Sequence, residues 1–174
     1  MNSRISKGYW IWGQFDANST DLINSLYQEI NNKLNGPNFD IHLTISGPFN
    51  YDEEKQKETF KVISSKFNEI DLQLKGISKT DEFFRSLFID VAQNENLNNL
   101  KDCFESKFNI NSPKYCPHIS LFYGIEDDAT KKEIIRKLKV PKSAIMDKIS
   151  IVKVDEEIKS WEILKSYSLF KLKQ

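Results

Sequence analysis

The sequence predicts an α+β protein made of two similar lobes by internal duplication. Strand-like and helix-like segments alternate twice along the chain. Corresponding elements of the two passes recur at an offset of 75 residues: Tyr9 and Phe84, Thr20 and Glu95, Asp52 and Asp127, Ile70 and Ile145. His42 and His118, the only two histidines, lie 76 residues apart and hold the same place in each pass. Pseudo-repeats are therefore expected over about 7–80 and 83–172, inside one domain spanning 1–174. Nothing between Ile77 and Phe83 is long or rich in Gly and Pro, so the lobes should pack tightly.

Each element has its own signal. Tyr9–Phe15 is aromatic and β-branched, hence a strand. Ser19, Thr20 and Asp21 offer an N-cap for a helix whose Leu22, Ile23, Leu26, Tyr27, Ile30 and Leu34 fall at helical spacing, and Gly36-Pro37 stops it. Phe39–Ser46 reads as a strand closed by Gly47-Pro48, Asp52–Phe67 as a helix, and Ile70–Ile77 as an alternating strand. In the second pass Phe84–Ala92 is a strand, and Leu97, Leu100, Phe104 and Phe108 mark a helix. A strand starts near His118 and runs to Tyr123, and Asp127-Asp128 open a short helix. Ile145–Val154 and Trp161–Leu172 close the chain as strands.

Composition limits what such a protein can do. With 174 residues, 39% hydrophobic and 12% aromatic, the chain can build a core and is not disordered. Lys+Arg and Asp+Glu are both 25, so the basic excess of a non-specific binder of long nucleic acid is missing. No apolar run approaches the ~20 residues that span a bilayer. Met1–Lys7 carries no signal-peptide core, so a cytoplasmic protein with no membrane association is expected. Cys103 and Cys116 have no disulfide-scaffold or metal-knuckle spacing and read as small buried apolar side chains.

The histidines carry the chemistry. Each is followed two positions later by a hydroxyl residue, as His42-Leu43-Thr44 and His118-Ile119-Ser120. Strand positions i and i+2 share a face, so each imidazole lies beside a hydroxyl while Leu43, Ile45, Ile119 and Leu121 pack on the other side. Imidazole titrates near neutrality, so one ring can act as base and the other as acid. The hydroxyls can donate to oxygens that gain charge in the transition state. That set suits in-line displacement at phosphorus. Two histidines without clustered Cys or carboxylate partners do not supply the usual three protein ligands of a catalytic zinc. No Gly-x-Ser-x-Gly elbow points to a serine hydrolase. Neither a metal nor a cofactor is expected.

Ile41-His42-Leu43-Thr44-Ile45 and Pro117-His118-Ile119-Ser120-Leu121 resemble the paired His-x-Thr/Ser motifs of the two-histidine phosphoesterase superfamily. With Tyr9–Trp12 and the Phe122-Tyr123 extension, the chain is most similar to the small cyclic phosphodiesterases of plants and yeast. The resemblance implies a bilobal fold with two antiparallel sheets lining a central cleft and helices outside. It implies His42 and His118 as the catalytic pair, taken with His118 as base and His42 as acid. Thr44 and Ser120 become phosphate-binding hydroxyls. The implied reaction is metal-independent hydrolysis of nucleoside 2′,3′-cyclic phosphate or ADP-ribose 1″,2″-cyclic phosphate. RNA ends and 2′,5′-oligonucleotides are the alternative substrates, and a non-catalytic nucleotide-binding module is the alternative of another class. No obligate protein partner is expected.

Trp12 on the first strand, Phe84 at the start of the counterpart strand, and Tyr123 are candidates to line the cleft and stack a base, against a core-packing reading. Tyr123 needs a bend after Phe122 to reach the His118 face, and Trp10 is as well placed as Trp12 by alternation. Arg85 either reaches substrate phosphate or is a surface charge. Lys131-Lys132 and Arg136-Lys137 read as a solvated helix face.

Overall fold

The computed structural model describes residues 7–171. The elements run β1 (Gly8–Phe15), α1 (Ala17–Asn31), β2 (Leu43–Phe49), α2 (Glu53–Lys66), β3 (Ile70–Lys79), a 3₁₀ turn (Phe83–Arg85), β4 (Leu87–Val91), α3 (Glu95–Phe108), β5 (His118–Phe122), α4 (Asp128–Lys137), β6 (Ser143–Val154), a second 3₁₀ turn (Ile158–Ser160) and β7 (Glu162–Ser168). The expected α+β class holds. The strands form an antiparallel sheet in the order β1-β2-β5-β4-β3-β6-β7, with β6 also pairing with β1. The two expected sheets are thus joined into one. They meet at the single bridge Leu43↔Ile119 and along β6, whose Ser143–Met146 pair with β3 while Lys148–Val154 pair with β1.

The two passes along the chain are interlocked. β3 of the first pass pairs with β4 of the second, and β6 of the second pairs with β1 of the first. Helices cross over likewise, α1 packing on β5 and α3 on β2. Neither pass completes its sheet alone, which is the physical reason for the missing linker. The pairings of the two passes are alike: Trp12↔Thr44 and Gly13↔Leu43 in one, Phe88↔Ser120 and Ile89↔Ile119 in the other. Each of the four lies 76 residues before its match, so Phe88 holds in the second ladder the place that Trp12 holds in the first.

Period-2 alternation sorts the two faces. Ile11, Leu43, Ile45, Leu87, Ile89, Ile119, Leu121, Ile149 and Ile151 are buried toward the helices, where Phe49, Phe60, Phe104 and Phe108 pack ring on ring. Truncating a ring such as Phe104 costs about 3–5 kcal/mol. A smaller cluster of Trp12, Val152 and Val154, flanked by Trp10, Trp161 and Ile163, covers part of the opposite face.

Several boundaries differ from expectation, each for a local reason. Asp16, not the Ser19–Asp21 cluster, caps α1 by accepting from the Ser19 N–H at 2.8 Å, while Ser19 Oγ accepts from Ile145 N–H. α1 ends at Asn31, ahead of Leu34 and Gly36-Pro37. β2 begins only at Leu43 and runs through Gly47-Pro48, absorbing them as a register shift against β1. The strand expected from Phe84 starts at Leu87, because Thr80 Oγ1 donates to Arg85 O and winds Phe83–Arg85 into the turn. Cys103 is half-buried and Cys116 exposed, so neither is the buried apolar side chain expected. Lys131 is 1% exposed and donates from Nζ to Thr80 O at 2.8 Å, so it does not belong to a solvated face. Lys132 and Lys137 pair with Asp128 and Glu133 on their own helix. β7 ends at Ser168, and Leu172 lies outside the described residues. No helix among the described residues is long and apolar enough to cross a membrane.

Candidate active site

The site is built where β2 meets β5. An antiparallel bridge at Leu43↔Ile119 sets His42 beside Ser120 and Thr44 beside His118, so each imidazole neighbours the hydroxyl of the other motif. All four line one cavity of about 230 Å³, together with Trp10, Trp12, Phe84, Tyr123, Val154 and Trp161.

The two rings are held in the same way. His42 Nδ1 lies 2.7 Å from Asp40 O, and His118 Nδ1 lies 2.9 Å from Cys116 O. A carbonyl can only accept, so each Nδ1 carries the hydrogen and each neutral ring keeps a free lone pair at Nε2. This explains why the chain leaves strand geometry just before each motif: the i−2 carbonyl must turn inward to meet the ring.

Their environments differ. His42 is 6% exposed and stacks on Trp12, with centroids 3.5 Å apart and planes 5° off parallel. Burial lowers its pKa to about 4, with the carbonyl of Asp40 opposing and His118 adding a little. His118 is half-buried and meets Phe88 edge to face at 5.3 Å. Its pKa is also lowered, first by burial and also by Arg85, against the Cys116 carbonyl, Asp90 and Glu82. Both rings are neutral at pH 7 in the free protein.

The aromatic candidates fall in different places. Trp12 lines the cavity, but one of its faces is taken by His42 and its edge meets Trp161 at 5.8 Å. β5 ends at Phe122, so strand alternation no longer governs Tyr123, which lines the cavity just before Gly124 at φ +153°. Tyr123 stacks on Phe39 at 3.9 Å, and burial raises its phenol pKa. Phe84 stands on the 3₁₀ turn, edge-on to Tyr123, and its carbonyl accepts from Ser120 Oγ at 3.5 Å. Sequence reasoning missed Trp161. It reaches the cavity from the second 3₁₀ turn, anchored by Nε1 donating to Asp155 O at 2.9 Å. It stacks on Phe84 at 6.1 Å. Only the rarity of tryptophan points to it in the sequence, since its strand position faces no motif. A larger groove of about 830 Å³ continues from Trp12 and Trp161 along α1, passing Asn24, Gln28, Asn38, Lys148 and Lys159. The titratable pair sits in the smaller cavity. Among the described residues no three His, Cys, Asp or Glu cluster as metal ligands.

The family model places the chain in the two-histidine phosphoesterase superfamily. The chain belongs to the cyclic phosphodiesterase-like protein family, whose model matches residues 13–170. Its fold is similar to that of E. coli LigT in apo form (TM-score 0.65, 14% identity, covering 94% of this chain and 97% of that one). It is also similar to E. coli LigT complexed with 3′-AMP (0.60, 11%, 94% and 98%). A third similar structure is TT0787 of Thermus thermophilus (0.64, 14%, 92% and 97%). No curated protein matches the sequence.

Proposed function

We propose that the protein hydrolyses nucleoside 2′,3′-cyclic phosphate or ADP-ribose 1″,2″-cyclic phosphate to a monoester by acid/base catalysis from His42 and His118. The observation that carries this is the symmetric pair of neutral imidazoles, each fixed through Nδ1 and set beside a hydroxyl in one small cavity. Water adds to phosphorus as one Nε2 takes its proton. The ribose P–O bond breaks as the other ring, protonated, gives its proton to the leaving oxygen. Thr44 and Ser120 donate to the non-bridging oxygens. A bound phosphodiester anion raises both imidazole pKa values, so the pair takes up the one proton it needs. Burial argues for the opposite division of roles from the one expected from sequence. His42, the more buried, stays unprotonated and serves as base, while His118, faced by Asp90 and Glu82, serves as acid. With imidazole as base, the reaction needs no metal-activated water.

The cavity volume suits a phosphate with one sugar. The adjoining polar groove favours a substrate with a second half, such as the ADP-ribose derivative or a short 2′,5′-oligonucleotide, over long RNA. The 3′-AMP bound in LigT is a monoester of the kind this reaction forms. The test is a panel of 2′,3′-cyclic mononucleotides, ADP-ribose 1″,2″-cyclic phosphate and 2′,5′-diadenylate. Cyclic substrates should be turned over fastest. Turnover of the 2′,5′ linkage alone would select the alternative reaction, and binding without turnover would select the binding module.

A further inference from the structure

Among the described residues no lysine or arginine lines the cavity that holds the two imidazoles. Both rings are neutral in the free protein, yet a phosphodiester brings a negative charge and gains more in the transition state. A site with only two hydroxyls to meet that charge is incomplete. Arg85 is a permanent cation beside it. Its Cζ lies 4.4 Å from the centroid of Phe88. The His118 ring packs against the same phenyl at 5.3 Å. Phe88 pairs with Ser120 in register and lies outside the main core, and guanidinium and imidazole both pack against its ring, next to the cavity that His118 and Ser120 line. Arg85 Nε is buried and has no hydrogen-bond partner among the described residues. An orphaned buried donor costs free energy unless something completes it.

The backbone that presents Arg85 is fixed. Its N–H donates to Glu82 O at 3.1 Å, and its carbonyl accepts from Thr80 Oγ1 at 2.6 Å. Thr80 O is itself held by the buried Lys131 ammonium. This is a preorganised turn and not a surface charge on a mobile edge.

We propose that Arg85 is the anion-binding residue of the cleft, its guanidinium donating to a non-bridging phosphate oxygen on the His118 side. The proposal rests on the phosphodiesterase reading, but its test does not depend on turnover. It also gives the site a trigger. In the free protein the guanidinium works against protonation of His118, while Asp90 from β4 and Glu82 from the turn work for it and His42 lies across the cavity. Once a phosphate pairs with the guanidinium, that opposition is cancelled, and His118 can take the proton it must deliver.

The probe is inorganic phosphate, followed by imidazole NMR; with two histidines in the chain, each ring is resolved. Wild type, Arg85→Gln and Arg85→Lys are titrated with phosphate at neutral pH, and with acid in its absence. Arg85→Gln should weaken phosphate binding at least about tenfold, the worth of a charge-assisted hydrogen bond. It should also raise the His118 pKa in the free protein and shrink the further rise on adding phosphate. Arg85→Lys should keep the free-state effect on His118 and lose part of the affinity, because the planar fork is gone. Phosphate affinity within about twofold of wild type in Arg85→Gln, with His118 unmoved, would overturn the proposal and leave Arg85 a cation packed on Phe88. Phosphate binding through Arg85 in a protein that hydrolyses no cyclic phosphate would overturn the phosphodiesterase reading instead, and uphold this one.

Discussion

Acidification should destabilise the fold through His42, by an amount its burial sets. The ring is 6% exposed and stacked on Trp12, and its pKa falls from the ordinary 6.5 to about 4. Unfolded, the same ring titrates near 6.5. Between these values the unfolded chain binds the proton more readily than the folded one, so stability falls as pH drops through that window and levels off below it. A gap of about 2.5 pH units at 1.36 kcal/mol each gives about 3 kcal/mol. Carboxylates held low, such as Asp128 and Glu105, lose stability in overlapping ranges, so the wild type must be compared with His42→Asn, whose amide can still donate to Asp40 O. Urea unfolding at pH 7.5 and pH 4.5 measures both proteins. The wild type should lose roughly 2–3 kcal/mol more than the variant. Equal losses would refute the reasoning, because they would mean that the buried ring takes up a proton as easily as an exposed one.

Other expectations follow from the same geometry. Lys131→Met removes the ammonium that holds Thr80 O, and should cost about 1–3 kcal/mol in urea unfolding. It should also raise KM more than it lowers kcat, since the released turn carries Phe84 and Arg85. Trp12→Ala uncovers His42, and should move its NMR-measured pKa upward toward 6.5; an unmoved value would show that Trp12 does not desolvate the ring. Thr44→Ala and Ser120→Ala should each cost about 10²–10³ in kcat, the usual worth of one donor to a developing oxyanion.

Much of the site was legible because it depends on local period. The i, i+2 spacing of His42–Thr44 and His118–Ser120 alone places each pair on one face, and the cavity collects all four. Other features depend on partners far away in sequence. The strand exchange that joins β3 to β4 and β6 to β1 is a choice between pairings that look alike in sequence. The turn at Phe83–Arg85 is wound by Thr80 and pinned by Lys131, which by composition alone reads as solvated. Trp12 reads in the sequence as a platform for a base or as core packing, and its stack on His42 depends on a cross-strand register that the sequence does not show. Trp161 enters the site from a 3₁₀ turn that no periodicity marks.

The most direct test of the two-histidine mechanism is hydrolysis of a 2′,3′-cyclic nucleoside monophosphate in excess EDTA, followed by phosphorus NMR for the wild type, His42→Ala and His118→Ala. The account predicts conversion to a single monoester, a bell-shaped pH dependence, and losses of about 10²–10⁴ in rate for either variant. Turnover that EDTA abolishes, or a His118→Ala variant within about tenfold of wild type, would contradict it.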